Sequence, residues 1–267
     1  GSIPGGVTTV ISLTATGAWH LLQDTNFRRG YFREQDADAL AGQLRQDGYD
    51  VMVGGVDAYS TLGWFHDPVL NTFIGYSEME LARLIFHELT HQVVYVPGDS
   101  VFNESFASVV EQEGVGRWLD NTGAASQRAV FDARQEREAV FTELVLNHRK
   151  RLQELFASDL SDTEKRAAKV RMFDELREEF VQLKAARADF SSYDRWFAQQ
   201  LNNALLATIS TYTQLVPAFQ ALLAQQNGDM GRFFVAVKEI SKLPETARLA
   251  VLQMALESHQ RRDVAQR

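Results

Sequence analysis

The sequence predicts an α+β fold that is predominantly helical. A small sheet and one helix carrying His87-Glu88-Leu89-Thr90-His91 fall in residues 1–123, and a helical region fills 124–267. Three observations carry that expectation. Stretches rich in β-branched, aromatic and glycine residues, the composition of strands and their turns, are confined to the first part of the chain. Two Ser-x-x-Glu capping boxes, at Ser77 and Ser161, open long helical segments. The 267 residues, 45% hydrophobic and 23% charged, are those of a globular protein with room for a sizeable core.

Taken in order, Val7–Thr16 reads as a strand, and the segment from Gly17 to Gly30 shows no clean pattern. Asp36 is placed to cap a helix reaching Gln46, with Ala37, Leu40, Ala41 and Leu44 on one face and Asp47-Gly48 as its stop. Tyr49–Val53 reads as a strand, Gly54-Gly55 as a bulge or close backbone approach, and Tyr59–Phe65 as a second strand. The helix opened by Ser77 is apolar on nearly every side, which predicts a buried helix. A turn at Pro97–Ser100 leads to a helix from Asn103 to Leu119 with Glu104 in its first turn. Ala125–Phe156 and the segment from Ser161 to Ala188 read as a long antiparallel helix pair whose many Arg and Glu form a solvated, salt-bridged face. Helices Tyr193–Ile209, Val216–Gln226, Met230–Ser241 and Glu245–Ser258 complete the chain.

Charge and composition narrow the chemistry. The formal net charge of −8 argues against nucleic acid as the main partner, because phosphate binding needs a basic patch. With no cysteine there is no disulfide, thiolate ligand or thiol nucleophile, so a metal would be held by His and carboxylate alone. Residues 1–23 contain no Lys, Arg, Asp or Glu; Val7–Leu22 is too short and polar for a membrane helix and lacks the basic start of a signal peptide. No targeting or transmembrane segment is therefore expected in this chain.

The chemistry centres on HELTH. On a helix, residues four apart lie on one face with Cβ atoms about 5–6 Å apart. His87 and His91 are therefore spaced to grip one Zn2+ ion, at Zn–N distances of about 2.0–2.1 Å. Glu88 is offset from that face; it is placed to act as general base on a zinc-bound water rather than as a ligand. Glu104, on the following helix, is the available third ligand, and three protein ligands plus water is the catalytic form of a zinc site. The competing reading is a buried helix with incidental histidines. Glu111, two turns beyond Glu104, is either a partner to a ligating His or a surface residue. His20, His148 and His259 read as surface or structural; His66, after the second strand, is within reach of the site, but a lone loop His is a weak signal. A donor for the transition-state oxyanion is sought among Tyr76, Tyr95, Tyr193 and Tyr212; Tyr212 is favoured because it precedes the Leu215-Val216-Pro217 break, where a helix end faces a cleft.

HELTH followed by Asn103-Glu104-Ser105-Phe106-Ala107 resembles the gluzincin metallopeptidases, and more closely the bacterial "putative aminopeptidase" family of envelope-associated proteins. The likeness extends to Arg29–Phe32, Val53–Val56, Tyr59–Phe65, Asp67–Leu70, Leu81–Val96 through Glu111, Asn202–Ala204 and Leu215–Phe219. It implies a zincin-like sheet and active-site helix, a zinc ion on His87, His91 and Glu104, and Glu88 as general base. It also implies a peptide substrate bound antiparallel to an edge strand, for which Tyr59–Phe65 is the candidate. Family members resemble exported, lipid-anchored proteins of the cell envelope or periplasm; residues 1–28 depart from them and carry no lipobox Cys.

The expectation is a zinc metallopeptidase, an aminopeptidase on short peptides, with a cleft between the parts before and after residue 123. One alternative is a metal-binding but non-catalytic scaffold that docks partners through its long helix pair. The other is a helical structural protein without metal. The acidic group that would hold a free amine is not identifiable among 35 Asp and Glu, so exo- and endopeptidase stay open, as does the oligomeric state.

Overall fold

The computed structural model describes residues 10–16, 27–31, 33–56, 77–123 and 125–265. Three strands come first: β1 (Val10–Thr16), β2 (Phe27–Tyr31) and, after helix α1 (Glu34–Gln46), β3 (Asp50–Val56). Helices then follow without interruption by strands among the described residues: α2 (Glu78–Val93), α3 (Ser100–Thr122), α4 (Ala125–Ala157) and α5 (Asp162–Ala186). After a 3-10 turn at Ala188–Tyr193 come α6 (Asp194–Phe197), α7 (Asn203–Thr213), α8 (Val216–Gln225), α9 (Met230–Ser241) and α10 (Glu245–Ala265). The protein is predominantly helical, as its sequence predicts.

The sheet is antiparallel with β1 in the middle, order β2-β1-β3, and Leu13 lies opposite Arg29 on one side and Val53 on the other. The arrangement gives no support to the zincin-like sheet that the resemblance implies; the candidate edge strand Tyr59–Phe65 lies outside the described residues, as do His20, His66 and Tyr76. Two local expectations are corrected. β2 forms where no pattern was legible, because FRRGY carries charges that mask its strand character. Gly54-Gly55 is no bulge: both stay in register, opposite Ser12 and Ile11.

The helix ends also differ. Helix α1 is preceded by Arg33, and Asp36, three residues on, pairs with that guanidinium at 2.7 Å instead of capping. The single helix expected at Tyr193–Ile209 is broken into the 3-10 turn, α6 and α7; Asn202 accepts a hydrogen bond from the Leu205 amide at 2.9 Å and restarts the helix. Both capping boxes are present, with Ser77 and Ser161 each exchanging bonds with the Glu three residues on.

The chain packs as two compact units, each built from two stretches of sequence. One compact unit combines Gly1–Asp57 with Ala129–Ser210, and the other combines Ala58–Arg128 with Thr211–Arg267. In the first, α1 buries Ala37 and Ala41, and Ala41 packs with Val51 of β3. Lys169 of α5 pairs with Asp50 at 2.7 Å, and the Asn203 amide donates to the same carboxylate at 2.8 Å. Helices α4 and α5 run antiparallel, since Arg137 pairs with Asp189 while Arg151 pairs with Glu175. Between them lie Phe141, Val145, Leu152, Phe173, Leu176 and Phe180. Their Arg and Glu lie along an exposed face, as expected.

In the second unit, α3 turns Phe102, Phe106, Val109 and Val110 into a core shared with α8, α9 and α10. Phe106 sits 5.6 Å from Phe219 and 5.7 Å from Phe233 between ring centroids. Each fully buried Phe of this kind contributes about 1.5–3 kcal/mol through removal from water. The opposite face of α3 is left for α2.

Candidate metal centre

Helices α2 and α3 form an antiparallel hairpin. Contacts that move backward along α2 move forward along α3: His91 faces Glu104, His87 faces Glu104 and Glu111, and Arg83 faces Glu111. One turn further, the Phe86 ring lies over Gly114, where an added Cβ would stand 2.8 Å from ring carbons. Glycine is required there for the helices to approach this closely. The chain reverses through Val94–Asp99, using Gly98 at a φ of +85°.

That reversal is held by side chains. Asn103 is buried and grips Val96 twice, its Oδ1 accepting from the amide at 2.8 Å and its Nδ2 donating to the carbonyl at 2.8 Å. Asp99 caps α3 by accepting from the Phe102 amide at 3.0 Å. The helix thus begins at Ser100, earlier than the Asn103 expected, so Glu104 stands one turn deeper in α3.

The structure brings His87, His91 and Glu104 together. One ligand atom from each lies within 4.8 Å of the others. His87 Nε2 is 3.1 Å and His91 Nε2 3.7 Å from the same Glu104 oxygen, Oε2. The two imidazoles meet edge to face, with centroids 5.1 Å apart. His91 Nδ1 is buried and makes no hydrogen bond. A nitrogen–nitrogen–oxygen set without sulfur suits a borderline ion, and among the described residues it is the one group of three such donors.

Glu111 is a partner of His87 and no free surface residue. Its Oε2 lies 3.3 Å from His87 Nδ1, the nitrogen turned away from the cluster, and its Oε1 accepts from Arg83 Nε at 2.5 Å. A carboxylate on the far nitrogen of an imidazole fixes its tautomer and ring orientation. Arg83 was not singled out by sequence. Its one signal, a position four residues before His87, becomes informative only when α3 is placed alongside.

The charges follow from this arrangement. Burial opposes a positive charge on His87, but hydrogen bonds to Glu104 and Glu111, with their negative charge, outweigh it and raise His87 to about 9 in the metal-free protein. His91 is lowered, by burial first and by the neighbouring His87 charge, against the pull of Glu104. Glu111 is lowered despite burial, because His87 and Arg83 favour its ionised form.

Glu88 follows His87 on α2 and is half-buried. At 3.6 residues per turn it is offset from the two histidines, beside the ligand face and not on it. The Tyr212 ring, half-exposed near the end of α7, lies 6.2 Å from the His87 ring. Two serines of α3 hold it there: Ser108 Oγ lies 3.2 Å from the Tyr212 carbonyl, and Ser105 Oγ accepts from the Leu215 amide at 3.2 Å. Tyr95 stands 6.4 Å from the His91 ring, whereas Tyr193 stacks on Phe141 at 4.1 Å in the other unit.

One expectation about α2 fails. Its apolar residues are not buried all round: Ile85, Leu89 and Val93 are 47%, 51% and 39% exposed. They recur every fourth residue, on the side of the helix opposite His87 and His91, so pairing with α3 leaves them outside.

The fold and this cluster define a predominantly helical protein with a candidate His-His-Glu metal centre. The chain belongs to the family described as "Putative aminopeptidase", which matches residues 8–252, and that membership supports a peptidase acting on peptides. Neither the curated proteins nor the solved structures yield a significant match. No helix among the described residues is long and apolar enough to cross a membrane.

Proposed function

We propose that the protein is a zinc-dependent metallopeptidase of the gluzincin type, an aminopeptidase on short peptides. The observation that carries the reading is the convergence of His87, His91 and Glu104 within 4.8 Å. These three residues would hold one Zn2+ ion. When bound, the ion would polarise a scissile carbonyl and acidify water. Glu88 takes the proton of the attacking water and returns it to the leaving amine. Glu111, backed by Arg83, keeps His87 in the tautomer whose Nε2 is free to ligate. Tyr212 donates its hydroxyl to the oxyanion that develops on the substrate carbonyl. The resemblance to envelope-associated proteins further supports action in the cell envelope or periplasm.

Elemental analysis of the purified protein should find zinc near one equivalent. Hydrolysis of peptides should stop on chelation and return with Zn2+. Glu88→Gln should keep the metal and lose about 10²–10⁴ in kcat. Failure to bind zinc removes the reading; full activity in Glu88→Gln removes the mechanism; zinc binding with no hydrolysis across a broad peptide library leaves a non-catalytic scaffold. N-acetylated peptides should be poor substrates, and equal cleavage of blocked and free peptides would exclude an aminopeptidase.

A further inference from the structure

We infer that Arg248, in the C-terminal helix α10, is a positioning residue for the metal centre, acting through Asp99 on the turn that sets Glu104 against His91. The inference rests on the zinc-site reading above.

Asp99 divides its carboxylate between two tasks. One oxygen caps α3 at the Phe102 amide, and the other accepts from Arg248 Nη2 at 2.6 Å. Arg248 Nη1 donates to the Leu243 carbonyl at 2.6 Å, so the guanidinium also ties in the joint between α9 and α10. It lies 5.5 Å from the centroid of the Phe102 ring, in cation–π range. Both charges are nearly withdrawn from water, the Arg248 side chain at 8% and that of Asp99 at 10% exposure.

The place of this pair along the chain gives it a role beyond adhesion. Only twelve residues lie between His91 and Glu104, and eight of them, Val96–Asn103, span the turn and the first residues of α3 and are closed into a ring by the double Asn103–Val96 bond. Asp99 sits in the middle of that ring. The direction in which α3 leaves the turn decides whether Glu104 reaches the two imidazoles. A metal tolerates little error in ligand placement, so an anchor that fixes this direction changes affinity without touching the ion. Arg248 Nε is buried and makes no hydrogen bond. A pair kept for stability alone is poorly served by such a donor, since an apolar replacement of similar volume is often neutral.

The test is competition of the metal-free protein with a chromophoric chelator for Zn2+. Three variants are compared with the native chain: Arg248→Met, Asp99→Ser combined with Arg248→Met, and Leu252→Ala. The double variant keeps a good helix cap and leaves no buried charge alone, so it remains informative where Arg248→Met fails to fold. The native chain should bind one Zn2+. The double variant should bind about tenfold more weakly or worse, with an unchanged circular dichroism spectrum and a Tm near native. Leu252→Ala opens the same core while leaving Asp99, Arg248 and their hydrogen-bonding groups in the chain; it should lower Tm and keep native Zn2+ affinity. Native affinity in a folded double variant overturns the inference, as does an equal loss in Leu252→Ala. A native chain that binds no Zn2+ overturns the zinc-site reading and the inference with it.

Discussion

Two helical hairpins of this protein use the same residue types for opposite ends. Both α2–α3 and α4–α5 contain a Ser-x-x-Glu capping box, at the start of α2 and at the start of α5, run antiparallel, and face His, Arg and Glu across the seam. In α4–α5 the cross-helix Arg and Glu are in water: Arg151 is 42% exposed, Glu175 46% and Glu179 49%, while His148, 2% exposed, faces the exposed Glu179. Pairs so placed contribute about 0–1 kcal/mol, because solvent already satisfies each ion. In α2–α3 the seam is closed, with His87 at 13%, Glu111 at 12% and Glu104 at 21%. Withdrawn from water, these groups must satisfy one another or a bound ion. Buried donors converging from both helices, more than residue type, separate the candidate metal centre from a solvated face.

The largest expected break in this contrast comes from the cluster itself. Glu104→Ala or His91→Ala should abolish zinc retention and hydrolysis together, read by elemental analysis and peptide cleavage; an active Glu104→Ala would assign the third ligand elsewhere. Next, Arg83→Met removes the cation behind Glu111. Zinc affinity should fall about 10–100-fold in a competition titration, the usual size of effects from partners of ligating histidines.

A third test uses pH. His87 has a folded value near 9 against 6.5 for the free side chain, so its contribution is fully present below 6.5 and is lost as pH rises through 9. His91 is lowered, so it acts on the other side, costing stability as pH falls below 6.5. The Tm of metal-free protein should therefore fall between pH 6.5 and 9. With Zn2+ present the trend should reverse, because protons and metal compete for the same nitrogens. A metal-free Tm that rises over this window would refute the charge arrangement. The smallest effect belongs to the open hairpin. Arg151→Ala with Glu175→Ala should change unfolding free energy by no more than about 1 kcal/mol and leave hydrolysis untouched, measured by denaturant titration and peptide assay.

The local part of the site was legible because its spacing is local. His87 and His91 are one helical turn apart, and Glu104 follows after a short turn marked by Pro97-Gly98. The capping boxes and the helical character of the second half were equally visible, since three- and four-residue periods need no partner. The Glu111–His87 contact spans 24 residues and the Ser108–Tyr212 contact 104, and both depend on which helix faces which. Tyr212 is singled out by its helix end and its ring lies 6.2 Å from His87, but the serines that hold it carry no sequence signal. The exposed stripe Ile85-Leu89-Val93 was misread for the same reason: apolarity shows that a face is suited to burial, not whether packing covers it. Strand β2 was lost to its two arginines.

The aromatic floor beneath α3 has a consequence for the order in which the protein is made. Phe102 and Phe106 leave the ribosome more than a hundred residues before Phe219 and Phe233, the rings they pack against. At about 5–20 residues per second, that interval is on the order of ten seconds. Through it the His87, His91 and Glu104 cluster is already made while the apolar side of α3 is bare, so these three side chains can meet before the core, and before Arg248, arrives to hold their helix in place.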